Sequence, residues 1–221
     1  MAWIELKPEG AGPIRAWRAD PAGAPRGGIV VIQEIFGVNS HIRSVADRFA
    51  AEGYLAVAPA IFEHVEPNFE TGYDQEARMR GMAIAGKIDR EQVLRDVAAA
   101  IEAAKRGGKV AVVGFCLGGT VAWGAAGQLS GLGAAVGYYG GGIIGLKDLN
   151  PKVPTLLHFG DKDQHIPIPG VKEVAAAHPD VEVHIYHADH GFNCDQRESY
   201  DAPSAKLAWT RTLEFLKKHL G

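Results

Sequence analysis

The segment Val110-Ala-Val-Val-Gly-Phe-Cys116-Leu-Gly-Gly119 leaves the chain few folds to choose from. Its apolar, β-branched start reads as a buried strand, and the glycine-flanked thiol that follows reads as a tight turn into a helix. In a Gly-x-nucleophile-x-Gly turn the flanking positions have no room for a Cβ, because strand and helix pack against them. Gly114 and Gly118 occupy those positions. Such a turn lifts the Cys116 side chain above the sheet edge, aims the N-terminus of the next helix at it, and frees the Leu117 N–H to hold an oxyanion. Phosphate-cradling loops also use glycines, but they need a Gly-x-Gly-x-x-Gly spacing or a lysine followed by a hydroxyl residue, and neither follows Val113. An inert buried thiol is the bland alternative, which only the rest of the chain can exclude.

The rest of the chain alternates short apolar runs with helical patterns. Strands are expected at 28–33, 54–58, 110–115, 134–138, 155–159 and 181–186, and helices at 41–52, 74–87, 89–106, 170–178 and 203–220. Asp89 is the expected N-cap of the third helix and Gly107-Gly108 its stop. Residues 59–72 are irregular. This is an α/β pattern with a mostly parallel sheet flanked by helices. In such a sheet, ligands bind outside the carboxyl ends of the strands. Cys116, the Asp161/Asp163 pair and His187 or His190 all fall just past strands, in the order nucleophile, acid, histidine.

The residue types suit acyl transfer. A thiolate attacks an acyl carbon, an imidazole manages its proton, and a carboxylate fixes the imidazole tautomer. His190 is the expected base because it sits in a glycine-containing loop beyond the strand, whereas His184 and His187 belong in or at the end of it. Asp163 is the expected acid, deeper in its loop than Asp161, which suits a turn. Glu34 follows the apolar run Ile29 to Ile32 and is costly to bury unless a positive or donor group meets it. Phe36 and Tyr138, near strand ends, are candidate walls for a substrate.

With 47% hydrophobic residues in 221, and no repeat or linker, the chain is expected to be one domain over 1–221. A net charge of −3 with scattered lysine and arginine argues against nucleic acid and anionic membranes as partners. The apolar stretches are too short for a targeting or spanning segment, so a cytoplasmic protein is expected, with its two cysteines as free thiols. No paired-cysteine spacing suggests zinc, and neither metal nor organic cofactor is expected. A monomer or weak homodimer is the expected state.

The elbow Gly114-Phe-Cys-Leu-Gly-Gly119, Gln33-Glu-Ile-Phe-Gly-Val-Asn39, the Gly137-Tyr-Tyr-Gly140 run, Asp163 before Ile166-Pro167, and His190-Gly-Phe192 together resemble the dienelactone hydrolase (carboxymethylenebutenolidase) family, from about Gly28 to Leu216. The resemblance implies an α/β-hydrolase fold without a large lid domain. It implies hydrolysis of an enol-lactone, such as dienelactone to maleylacetate, through a thioester, with Cys116, Asp163 and His190 as triad. It also implies a place in aromatic compound breakdown. It puts the N–H groups of Ile35 and Leu117 in the oxyanion hole, Glu34 in activation of the cysteine, and Arg78, with Arg80 as neighbour, against Glu34 or a substrate carboxylate. One departure stands out. Cys194 occupies the place, four residues past the histidine, where family members commonly carry a substrate-binding arginine, and Arg197 is the residue able to compensate. A general small-ester carboxylesterase or thioesterase is therefore the alternative, followed by a non-catalytic ligand-binding or thiol redox-sensing relative.

Overall fold

A computed structural model describes residues 1–221. Eight strands make one sheet in the order β1-β2-β4-β3-β5-β6-β7-β8. β1 (Ala2–Leu6) and β2 (Ile14–Ala19) are antiparallel at one edge, while β4 (Leu55–Pro59), β3 (Gly28–Ile32), β5 (Val110–Phe115), β6 (Leu132–Tyr138), β7 (Thr155–Gly160) and β8 (Glu182–Tyr186) run parallel. Six helices connect them: α1 (Ser40–Ala51), α2 (Gln75–Ala85), α3 (Arg90–Ala104), α4 (Leu117–Gln128), α5 (Ile168–Ala177) and α6 (Ala202–Leu220). This is the expected α/β architecture. The expected elements recur with ends shifted by at most two residues. The edge pair β1–β2 lacks an apolar run because its residues alternate between charge and aromatic (Trp3, Glu5, Arg15, Trp17).

Both faces of the sheet are covered, which is why the central strands read as continuous apolar runs. Ile29, Val31, Ala111 and Val113 point into the cluster holding Val45 and Phe49 of α1 and Phe215 and Leu216 of α6. Val30, Ile32, Val110 and Val112 point the other way, against Val97 and Ile101 of α3 and Ala122 and Ala125 of α4. Caps fix where the helices begin: Asn39, Asp74, Asp89 and Asp201 each accept a backbone N–H three residues on, from Ile42, Ala77, Gln92 and Ser204. Asp89 caps as expected; α3 stops at Ala104 and a 3-10 turn carries the chain through Gly107.

Strand order reverses at the centre: from β3 the chain goes first to β4 on one side and later to β5 on the other. The crevice beyond the carboxyl ends of β3 and β5 is therefore the place where a ligand fits. Backbones meet there without side chains between them. A Cβ on Gly114 would lie 1.9 Å from the Gly118 carbonyl oxygen, and one on Gly118 would lie 2.3 Å from that of Ile32. Between them Cys116 is held at φ 56 and ψ −114, a conformation that side-chain-bearing residues rarely adopt.

Gly114→Ala and Gly118→Ala are expected to destabilise the fold by more than the ~1–3 kcal/mol usual for overpacking, because the obstacle is backbone on both sides. Gly12→Ala, with open space around it, should stay within about 0.5 kcal/mol of wild type. Urea midpoints of the three variants check this; a wild-type midpoint for Gly114→Ala would disprove the close-approach account.

Candidate active site

Cys116, Asp163 and His190 lie just past β5, β7 and β8, and the fold brings them into one line. His190 Nε2 is 3.2 Å from Cys116 Sγ, and His190 Nδ1 is 2.6 Å from Asp163 Oδ2. The Asp163 side chain has no exposure and the His190 ring keeps 16%, so the relay is closed at its acid end. Asp163 Oδ1 also accepts the His165 N–H at 2.8 Å, which fixes the carboxylate plane. Burial raises the proton affinity of Asp163, but the hydrogen bond and charge of His190 with the His165 N–H outweigh it, leaving the carboxyl below its ordinary value. Burial lowers His190, yet its hydrogen bonds to Asp163 and Cys116 and their charges raise it to about 10. The imidazole thus holds its proton at neutral pH, the state that complements a thiolate beside it.

The other sequence candidates for acid and base stay on the surface. His187 is 77% exposed and pairs with Asp161 at 3.0 Å. His184 lies within β8, stacked on His158.

Gly118 N–H donates to the Gln33 carbonyl at 3.1 Å, tying the elbow to the loop after β3. The Ile35 and Leu117 amides flank that contact along the chain, and neither donates to a protein acceptor. Leu117 opens α4, so its N–H belongs to the unsatisfied first turn. The Ile35 carbonyl is pinned from behind by α2, where a Cβ on Gly81 would lie 2.2 Å from it.

Glu34 is 1% exposed, and its partner is Arg197, whose Nη1 donates to Oε1 at 3.1 Å. The expectation that Arg78 or Arg80 meets Glu34 is corrected. Arg78 donates to His165 at 3.3 Å, at the rim beside the relay, and Arg80 pairs with Glu66 on the surface. Both arginines are carried on an exposed face of α2, whereas Arg197 lies on the turn that follows His190 and reaches inward over Gly191, which has φ +80 and where a Cβ would strike the guanidinium at 2.3 Å. Phe36 is buried beside this pair, edge-on to Tyr73 at 4.6 Å with the Arg197 guanidinium 5.8 Å from its ring.

Tyr138 is also corrected. It is wholly buried and its hydroxyl bonds Thr212 of α6 at 2.7 Å, so it belongs to the core. The next residue, Tyr139, takes a positive φ of 38 that turns its ring toward the site, 5.1 Å from His190 and 5.5 Å from Phe192. Its neighbourhood was visible in the Gly137-Tyr-Tyr-Gly140 run, but strand alternation does not say which tyrosine faces the ligand when the second leaves the strand. His41, Tyr73 and His165 carry no sequence signal, since each reaches the site from a distant segment. Cys194 is buried, and burial followed by the charge of Glu34 raises its thiol to about 12. A surface cleft lined by Lys152, His178, Asp180, Glu182, Lys218 and His219 lies at the opposite, N-terminal ends of β7 and β8.

No helix is long and apolar enough to cross a membrane. The model of the dienelactone hydrolase family matches residues 14–220. The chain is 36% identical over 209 residues to a carboxymethylenebutenolidase of Pseudomonas putida, covering 89% of this chain and 87% of that one. It is likewise 36% identical over 212 residues to a candidate carboxymethylenebutenolidase of Synechocystis, covering 87% and 86%. The crystal structure of a candidate dienelactone hydrolase from Klebsiella pneumoniae superposes with a TM-score of 0.86 at 32% identity, over 97% of this chain and 96% of the other.

Two outcomes follow from this geometry. Iodoacetamide at neutral pH should modify Cys116 and spare Cys194. Asp163→Asn should lower the His190 value toward its ordinary 6.5 and slow Cys116 alkylation at pH 8; peptide mass mapping and rate measurement check both. The sign also fixes a stability trend: a folded value of about 10 against about 6.5 unfolded makes the His190 contribution whole below pH 6.5 and lost as pH rises toward 10. For the ion pair, Arg197→Met should cost ~3–5 kcal/mol by stranding a buried carboxylate, and adding Glu34→Gln should recover most of it. Equal instability of single and double variants in urea would contradict that reading.

Proposed function

The chain belongs to the dienelactone hydrolase family, and from that premise we propose that it opens an enol-lactone such as dienelactone to maleylacetate, with Cys116 as nucleophile, His190 as base and acid, and Asp163 as the group that orients His190. The observation that carries the reading is the relay from Cys116 Sγ to His190 at 3.2 Å and on to Asp163 at 2.6 Å, with two undonated amides beside it.

Each step uses groups already in place. The Cys116 thiolate attacks the lactone carbonyl carbon, and the pair of electrons displaced from the carbonyl becomes an oxyanion held by the Ile35 and Leu117 N–H groups, each such donor being worth ~2.7–4 kcal/mol. Collapse breaks the ring C–O bond, and the departing enolate oxygen takes the proton of His190 Nε2. The neutral imidazole then removes a proton from water, whose oxygen attacks the thioester carbon. That step restores the imidazolium, and collapse of the second oxyanion expels the thiolate beside it and leaves a carboxylic acid, which loses its proton to solvent. Asp163 holds the ring in the tautomer that keeps Nε2 facing the sulfur.

Glu34 and Arg197 supply the response to substrate charge. An anionic substrate that engages Arg197 frees Glu34 as a proton acceptor, besides His190, for Cys116 that is still thiol, so the thiolate fraction is coupled to recognition of a carboxylate. Phe36 lies beside the Glu34–Arg197 pair, and Tyr139, as buried as Tyr138, backs the His190 ring from behind. A second reading has its own support: with Cys194 in place of an arginine and Arg197 already bound to Glu34, a neutral small ester or thioester fits the same machinery. The substrate is a small molecule in either case.

Dienelactone and a neutral activated ester, assayed side by side with wild type and Cys116→Ala, separate these readings. The expected result is dienelactone turnover that falls by at least about 10⁴-fold without the thiol. Thiol-dependent turnover of the neutral ester alone would keep the mechanism and reassign the substrate; turnover that survives Cys116→Ala would refute the mechanism.

A further inference from the structure

We propose that Glu34, His41 and Cys194 form a binding site for a thiophilic divalent cation of the zinc class, beside the Cys116–His190–Asp163 relay and distinct from it. A Glu34 carboxylate oxygen, a His41 ring nitrogen and Cys194 Sγ lie within 4.8 Å of one another, and all three residues are buried. Zinc bonds of about 2.0–2.3 Å put tetrahedral ligand atoms about 3.3–3.8 Å apart, which small side-chain rotations reach from here.

The hydrogen bonding around the cluster points to a cation. Arg197 takes Glu34 Oε1 and Asp195 takes His41 Nδ1, the latter at 3.3 Å. Glu34 Oε2 and His41 Nε2 are left without any partner, on side chains that are 1% and 2% exposed. In the tautomer that donates Nδ1–H to Asp195, His41 Nε2 and Glu34 Oε2 are both buried acceptors without a partner, in the same cluster as Cys194 Sγ. Leaving them so is costly, at ~1–3 kcal/mol for each unmatched group. A metal ion accepts both lone pairs and the thiolate sulfur at once. A histidine whose other nitrogen donates to a carboxylate is moreover the usual second-shell arrangement of metal-bound imidazole.

Donor chemistry selects the ion. One thiolate, one imidazole and one carboxylate suit zinc or cobalt far better than magnesium or calcium, which want oxygen throughout. Binding converts the Cys194 S–H bond to an S–metal bond and releases that proton to solvent, while Glu34 Oε1 can stay on Arg197. Three ligands leave a fourth position for water. The site joins the loop after β3, the first turn of α1 and the loop after His190, so an ion there clamps three segments that surround the relay. The assignment does not depend on what the relay hydrolyses.

Cys116→Ala removes the competing thiol at the relay and leaves Cys194 as the only thiol in the chain. In that variant Co²⁺ is expected to bind once per chain, with a thiolate-to-cobalt charge-transfer band in the near ultraviolet and the intense visible bands of a four-coordinate ion. Zn²⁺ should displace it and raise the unfolding temperature. Lack of the charge-transfer band overturns the proposal. In the same background His41→Gln should abolish the band, and Asp195→Asn, at a 63% exposed side chain, should weaken Co²⁺ by about 10–100-fold. Should His41→Gln fail to fold, unchanged Co²⁺ affinity in Asp195→Asn overturns the ligand set by itself.

Discussion

The contact of bare backbone at the elbow is the constraint on which the site depends. Gly118 sits against Ile32 of β3, and Gly114 against Gly118, at separations that admit no side chain. Because strand and helix close on each other there, Cys116 has one available conformation, with positive φ, and its sulfur stands out over the sheet edge. The same contact brings the Gly118 N–H onto Gln33 O, which carries the loop of Glu34 and Ile35 to within reach of the sulfur. One steric fact therefore positions nucleophile, both candidate oxyanion amides and the acidic residue. Asp163, His190 and Arg197 are delivered to this fixed point by the loops after β7 and β8.

Those loops bring charge, and burial makes charge consequential. Asp163 and Glu34 are enclosed carboxylates, and each has one cationic partner, His190 and Arg197 respectively. The cost of desolvation in each case is offset only while the pair stays intact, so both loops are held in register by electrostatics as well as by packing. His190 illustrates the balance: burial acts against its proton, and two anionic neighbours win. Cys194 is pushed up to about 12, by burial first and by the charge of Glu34 second. The two thiols of the chain thus differ by surroundings alone, one beside an imidazolium and one beside a carboxylate.

The parts that were legible in the sequence are the parts whose physics is local. A β-branched run, a glycine that must stand three residues before a helix, and an aspartate cap are decided by neighbours along the chain, and so strands β3 to β8, the elbow and the Asp89 cap were readable. The relay was readable because sheet topology places strand ends together. The partner of Glu34 was not. Arg78, Arg80 and Arg197 are equally distant from it in any pattern sense, and the choice falls to Arg197 because the turn after His190 folds back over Gly191. Tyr138 and Tyr139 show the same limit at one residue's scale: the alternation that assigns faces within a strand ends where the strand does. The edge strands β1 and β2, half exposed and mixed in character, had no periodic signal to show.

Placement of Arg197 bears on which substrates the site can favour. An arginine at position 194 would spring from the first turn after His190 and present its charge from the position that Cys194 fills. Arg197, one turn later, reaches the same region but arrives already bound to Glu34 and lying over Phe36. A substrate carboxylate must therefore compete with a buried carboxylate for one guanidinium, and the winner is set by how well the ligand desolvates and how many of the guanidinium donors it can take at once. Arginine has five such donors, and a single contact at 3.1 Å to Glu34 uses few of them. A substrate carboxylate that takes the remaining donors loosens the hold on Glu34. A chain with an arginine at both positions would separate the two tasks; here one guanidinium is left for both, which is the physical ground for keeping a neutral ester as the second reading.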